Sequence, residues 1–223
     1  MAGDTPLVLG CDFSSSPTKT KPIVIALGQL EQGRVRLNEL HTFPSLNEWG
    51  EWLRHEGDWV GGFDLPFGLP RELVLELGWP QTWAACMDHY CALSRAEIRA
   101  QFKAFCDARP VGNKFAHRAC DIPAGSSPSM KWVNPPVAYM MHAGVPLLRA
   151  AGLHLPGLCQ GDERRVGLEA YPGLLARELI GNRSYKSDDR SKQTAERWVA
   201  RSDLLQKLEL GDRKSTRLNS SHT

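Results

Sequence analysis

Two apolar runs in this 223-residue chain end on an aspartate, Leu7-Val8-Leu9-Gly10-Cys11-Asp12 and Trp59-Val60-Gly61-Gly62-Phe63-Asp64. A third stretch, with Val166 and Leu168 alternating, ends on Glu169. Short apolar runs bounded by turn residues fit strands covered on both faces. A carboxylate delivered to the end of such a strand is costly unless something compensates it. Acids gathered at neighbouring strand ends therefore suggest a hard cation or shared proton chemistry. Magnesium takes one or two carboxylates together with water and substrate phosphate. A second metal about 4 Å away would allow water activation and stabilisation of a leaving oxygen. Each aspartate alone also suits a plainer role, Asp12 capping the Ser14-Ser15-Ser16 turn and Asp64 capping the loop through Pro66, because aspartate side chains readily bond turn backbone.

The elements that would position these acids follow from local pattern. Residues 22–30 are rich in Ile and Val, Gln32-Gly33 turns the chain, and Val35, Leu37 and Leu40 lie in a further extended stretch over 34–43. With the first run this predicts three antiparallel strands. Ser45 with Glu48 forms a capping-box signature ahead of Leu46, Trp49, Trp52 and Leu53, a helix that Gly57 stops. The run ending at Asp64 is then the fourth strand. Beyond it the spacing predicts helices over 71–77, from the Ser94-Glu97 capping box to about 106, and over 136–151 with an interruption near Pro146. A strand over 165–170 follows, then a helix from Pro172 to a stop at Gly181, and a last amphipathic helix over 191–210 carrying Trp198, Leu204, Leu205 and Leu208. Asp188 and Asp189 are expected at the start of that helix, where acids suit its dipole. The expected architecture is α/β, a mixed five-stranded sheet with three antiparallel strands followed by parallel ones, flanking helices and a mainly helical insertion over about 71–161. With no internal repeat or linker, residues 1–211 read as a single domain.

Composition narrows the function classes. The chain is 42% hydrophobic yet lacks any apolar stretch near the roughly 20 residues a membrane helix needs, and it opens on polar residues instead of a leader pattern. It is expected to be cytoplasmic, with its six dispersed cysteines as thiols. Residues 212–223 have no apolar periodicity, and from Asp212 to His222 they match the translation of a common sequencing adapter residue for residue. They read as a non-native tail. The tail also carries a net two of the chain's formal charge of +2, leaving a neutral remainder unsuited to strong nonspecific duplex binding.

The segments Gly10-Cys11-Asp12-Phe13-Ser14, Gly62-Phe63-Asp64-Leu65-Pro66-Phe67-Gly68-Leu69-Pro70, Leu168-Glu169-Ala170-Tyr171-Pro172 and Tyr185-Lys186 together resemble the DUF429 family, regarded as predicted nucleases of ribonuclease H-like fold. The resemblance spans 7–211 and implies that Asp12, Asp64 and Glu169 are catalytic metal ligands for Mg2+ or Mn2+. It also implies a further acidic motif on a last helix, which this chain does not contain, so the cluster is expected to be incomplete, with loss of activity as one outcome.

The expected partner is a nucleic acid or phosphate-ester substrate, with no membrane. The loop over 114–131 offers Lys114, His117, Arg118 and Lys131 against the single acid Asp121, and serine hydroxyls including Ser127. Such a block could hold phosphates, or simply be a solvated surface loop. Lys186 could neutralise a phosphate near the acids, or be a plain loop lysine. Phe115, Trp132 and Tyr139 are expected in the core, with base stacking as the alternative. The function expected is a metal-dependent nuclease. A module of the same fold that binds nucleotide or nucleic acid without hydrolysis is the alternative.

Overall fold

The computed structural model describes residues 7–187 and 189–211. They form two compact units, divided after Tyr171. The first contains a six-stranded mixed sheet in the order β3-β2-β1-β4-β6-β5. Strands β1 (Leu7–Asp12), β2 (Ile23–Glu31) and β3 (Arg34–Phe43) form the antiparallel meander. Strand β4 (Trp59–Phe63) runs parallel to β1, β6 (Asp162–Glu169) parallel to β4, and β5 (Leu153–His154) parallel to β6.

The sheet thus has six strands where the sequence predicts five. The additional strand is two residues long, too short to show a period of two, and exists because the outer edge of β6 offers it a partner. A second difference concerns the acid-bearing strands. They read as continuous apolar runs, but β1 buries Leu9 and Cys11 while Gly10 and Asp12 face out. Val60 and Leu168 are likewise exposed, at 38% and 43%. The alternation was hidden because apolar residues occupy the outward positions too.

Helix α1 (Leu46–Leu53) starts at Ser45, whose hydroxyl accepts from the Glu48 amide, and buries Trp49 and Leu53. Trp49 packs edge-on to Phe63 at 6.3 Å and tilted on Phe13 at 5.0 Å, which joins the helix to the centre of the sheet. Leu9, Gly61 and Gly167 share one register row. A Cβ on Gly61 would stand 3.0 Å from both Phe63 and Trp59, so the row is kept small to admit the aromatic rings.

The insertion holds α2 (Arg71–Glu76), α3 (Trp83–Ala92), α4 (Arg95–Asp107), the short α5 (Asp121–Ala124) and α6 (Val137–Ala150). Helix α3 escapes the sequence reading because the run Trp83-Ala84-Ala85-Cys86-Met87 is apolar without helical period. Helix α6 continues through Pro146 instead of breaking there. Met141, Val145 and Leu148 are fully buried, and this packing outweighs the hydrogen bond that the proline omits. Phe115, Trp132 and Tyr139 are partly buried against the same core, as expected. All six cysteines are thiols.

The second unit pairs α7 (Pro172–Ile180), stopped at Gly181, with α8 (Ala195–Leu210), capped by Thr194 and ended by Gly211. Both glycines have φ of 68°, the left-handed conformation that terminates helices. The last helix begins at residue 195 and not at 191, because residues 190–192 form a separate 3-10 turn. Asp189 serves that turn, accepting from the Ser191 amide at 3.0 Å and hydroxyl at 2.6 Å, instead of opening α8. The expectation for Asp188, like that for residues 212–223, lies outside the described residues. Trp198 and Leu205 are 64% and 61% exposed, so α8 does not bury the apolar stripe its sequence suggests.

Candidate functional site

Two of the sequence-predicted acids come together through strand register. Cys11 of β1 pairs with Phe63 of β4, and the Asp64 amide continues the ladder by donating to the Cys11 carbonyl at 3.0 Å. Asp12 and Asp64 therefore follow one another across adjacent parallel strands at their C-terminal ends, about 4.8 Å apart in backbone spacing. Asp12 is exposed and Asp64 half-buried. Their charge is felt by the Cys11 thiol between them. Burial pushes that thiol well above its ordinary value, and the carboxylates of Asp12 and then Asp64 push it further.

Glu169 stands on the next strand but one residue out of phase. It pairs with Phe63, not with Asp64, so its side chain leaves the face that Phe63 buries, opposite to that of Asp12. There its carboxylate is already engaged. Both terminal nitrogens of Arg118 donate to it at 2.7 Å, and the Phe67 amide donates to Oε2 at 2.8 Å. Among the described residues, no three histidine, cysteine, aspartate or glutamate side chains gather closely enough to share a metal ion.

Arg118 also holds Asp121, through Nε at 3.0 Å and Nη2 at 2.8 Å, while its own amide donates to the other carboxylate oxygen at 2.8 Å. Asp121 is fully buried and takes a further bond from the Ser126 hydroxyl at 3.2 Å. Burial works to lower the Arg118 pKa, but hydrogen bonds to Glu169 and Asp121 outweigh it and hold the guanidinium above its ordinary value. This arginine, expected from sequence to grip substrate, is the clamp that ties the insertion loop to the end of β6. Sequence reasoning missed the network. Its local signal is the Arg118-Ala119-Cys120-Asp121 spacing, the single acid of a basic loop three residues after an arginine.

Of the other substrate-binding candidates, Lys114 and His117 are exposed on the insertion loop, and Ser127 and Lys131 are half-buried. Lys186 belongs to the second unit, exposed, with its ammonium 5.8 Å from the Tyr185 ring.

The loop after Asp64 ends in a cleft of about 320 Å3 beside α2 and α3. Phe67 fixes that loop from both sides of one residue. Its amide donates to Glu169, and its carbonyl accepts from the Trp83 indole N–H at 2.6 Å.

Fold and site together define an α/β protein whose mixed six-stranded sheet presents two carboxylates at adjacent parallel strand ends. No family model, no curated protein and no solved structure matches this chain. Among the described residues no helix is long and apolar enough to cross a membrane.

Proposed function

We propose that this chain is a metal-dependent nuclease of the DUF429 type, with a ribonuclease H-like fold, that hydrolyses phosphodiester bonds in nucleic acid. The observation that carries this reading is the juxtaposition of Asp12 and Asp64 at the ends of two hydrogen-bonded parallel strands. Two carboxylates of this kind, with water and phosphate oxygens completing the shell, make an ordinary donor set for Mg2+ or Mn2+. When bound, such an ion would supply Lewis-acid polarisation of the phosphate and lower the pKa of a water.

The chain's own residues divide the remaining work. Asp12 and Asp64 would hold the ion. Glu169, occupied by Arg118 and Phe67, would act as a positioning residue for the loop that follows Asp64 rather than as the third ligand its sequence context implies. Lys114, His117, Ser127 and Lys131 would contact phosphate from the insertion loop. One observation favours the non-hydrolytic alternative: Glu169 is already held by Arg118, so the acids it leaves near a cation are two, not three.

Hydrolysis of a fluorescent single-stranded oligonucleotide with Mg2+ or Mn2+ tests the proposal. Metal-dependent cleavage that Asp12→Asn abolishes is expected. Manganese binding without any cleavage would leave the binding-module reading in its place.

A further inference from the structure

We propose that the cleft beside Trp83 is a nucleobase-binding subsite, with the indole as stacking platform and Arg71 as the contact for the attached phosphate. The inference rests on, and extends, the reading of Asp12 and Asp64 as a nuclease site. The cleft is lined by Gly68, Arg71, Gln81, Trp83, Cys86 and Met87 among others. Its walls are thus apolar with two polar groups, the makeup of a site that holds a flat ligand and fixes its orientation.

Trp83 is positioned in advance. Its N–H is spent on the Phe67 carbonyl, and the guanidinium of Arg149 lies 5.6 Å from its ring centroid. Toward the cleft the neighbour is Gly68, and a Cβ built there would meet Trp83 Cδ1 and Nε1 as its nearest atoms, both at 4.0 Å. The missing side chain is what leaves the indole open on that side. Every base has a π-face, so an immobilised tryptophan accepts any of them.

The polar groups suit the rest of a nucleotide. Arg71 and Gln81 are exposed at the cleft, and among the described residues neither is drawn into a hydrogen bond or ion pair. The guanidinium fork matches phosphate oxygens, and the glutamine amide offers a donor and an acceptor to a base edge.

The placement serves the acids. Gly68 is four residues beyond Asp64, so the two lie within about 14 Å even at full extension. The intervening Leu65 and Phe67 are buried, and the Phe67 peptide is pinned between Glu169 and Trp83. A base seated on Trp83 would thus lie one to a few nucleotides from the scissile phosphate, at a distance set by a rigid strap.

Titration calorimetry of the purified chain with AMP and UMP tests the subsite, with ribose 5-phosphate and adenosine as comparators. Both nucleotides are expected to bind, with ribose 5-phosphate at least about tenfold weaker and adenosine several-fold weaker than AMP. Gly68→Leu, which covers the indole, is expected to weaken AMP and UMP about tenfold or more. Arg71→Gln is expected to remove the preference for AMP over adenosine. Failure of AMP to bind at millimolar concentration, equal binding of ribose 5-phosphate, or unchanged AMP affinity in a Gly68→Leu protein with a wild-type melt overturns the inference. Where Gly68→Leu does not fold, Arg71→Gln at its exposed position decides, and an unchanged AMP preference overturns it. The oligonucleotide assay on the same samples separates the two readings. Nucleotide binding of this profile without cleavage removes the nuclease and leaves the subsite, whereas cleavage with cleft variants that bind AMP normally removes the subsite alone.

Discussion

Arg118 satisfies two carboxylates with one guanidinium, and the three groups differ sharply in exposure. Its side chain is 16% exposed, that of Glu169 31%, and Asp121 not at all. Asp121→Asn leaves Arg118 paired with Glu169 but puts an amide N–H2 where a fully buried carboxylate oxygen accepted from Arg118 or Ser126, and a buried polar group left unsatisfied costs about 1–3 kcal/mol. The substitution is therefore expected to destabilise the protein by about 2 kcal/mol, read as a lower denaturant midpoint with an unchanged slope. Asp12 and Glu169 should behave in opposite ways. Asp12 is exposed, so Asp12→Asn should leave Tm within about a degree or two of the wild type while Mn2+ binding is lost. Glu169→Gln should lower Tm and leave most of the Mn2+ affinity. A Glu169→Gln protein that keeps its Tm and loses manganese would restore Glu169 as a ligand and sink its positioning role.

At the scale of elements, helix starts are written locally. Ser94 accepts from the Glu97 amide, and Glu97 returns the bond to the Ser94 amide at 2.8 Å. Hydrogen bonds from the Ser94 amide and then its hydroxyl hold the Glu97 carboxyl below its ordinary pKa. A lowered folded pKa means the cap's charged contribution is present above about pH 4.3 and is lost as pH falls through the folded value. Ser94→Ala should cost about 1 kcal/mol at pH 7, and the difference from wild type should shrink below pH 4. A constant difference down to pH 3 would show that the charge of Glu97 plays no part. Such four-residue grammar explains why α1, α4 and the meander were legible in the sequence, and why both strand-end aspartates were. The role of Glu169 was not. Its face is fixed by pairing with Phe63, and its partner Arg118 is 51 residues away, so neither appears in any local window. Helix α3, with its unperiodic apolar run, and the open face of Trp83 were illegible for the same reason, since both are set by what packs from elsewhere in the chain.

At the scale of the whole molecule the two units have unequal cores. The first buries Ile23, Ile25, Trp49 and Phe63 completely in one continuous cluster, whereas the second, among the described residues, buries Ala176 and a small cluster of Leu179, Ile180 and Ala200, with Leu175, Tyr185 and Leu204 packed partly against that cluster. Opening free energy follows the apolar surface that opening exposes, at about 25 cal/mol per Å2. A cluster of three small or medium side chains therefore supports far less protection than a sheet with complete aromatic burial. In deuterium exchange at pH 7, peptides covering 172–211 should become fully labelled while those covering 23–31 and 59–63 retain protons. The exposed Trp198 and Leu205 reinforce that expectation, because α8 has little apolar contact to lose when it frays. Protection of α7 and α8 as long-lived as that of β4 would mean that the exposed face around Trp198 and Leu205 is covered in solution.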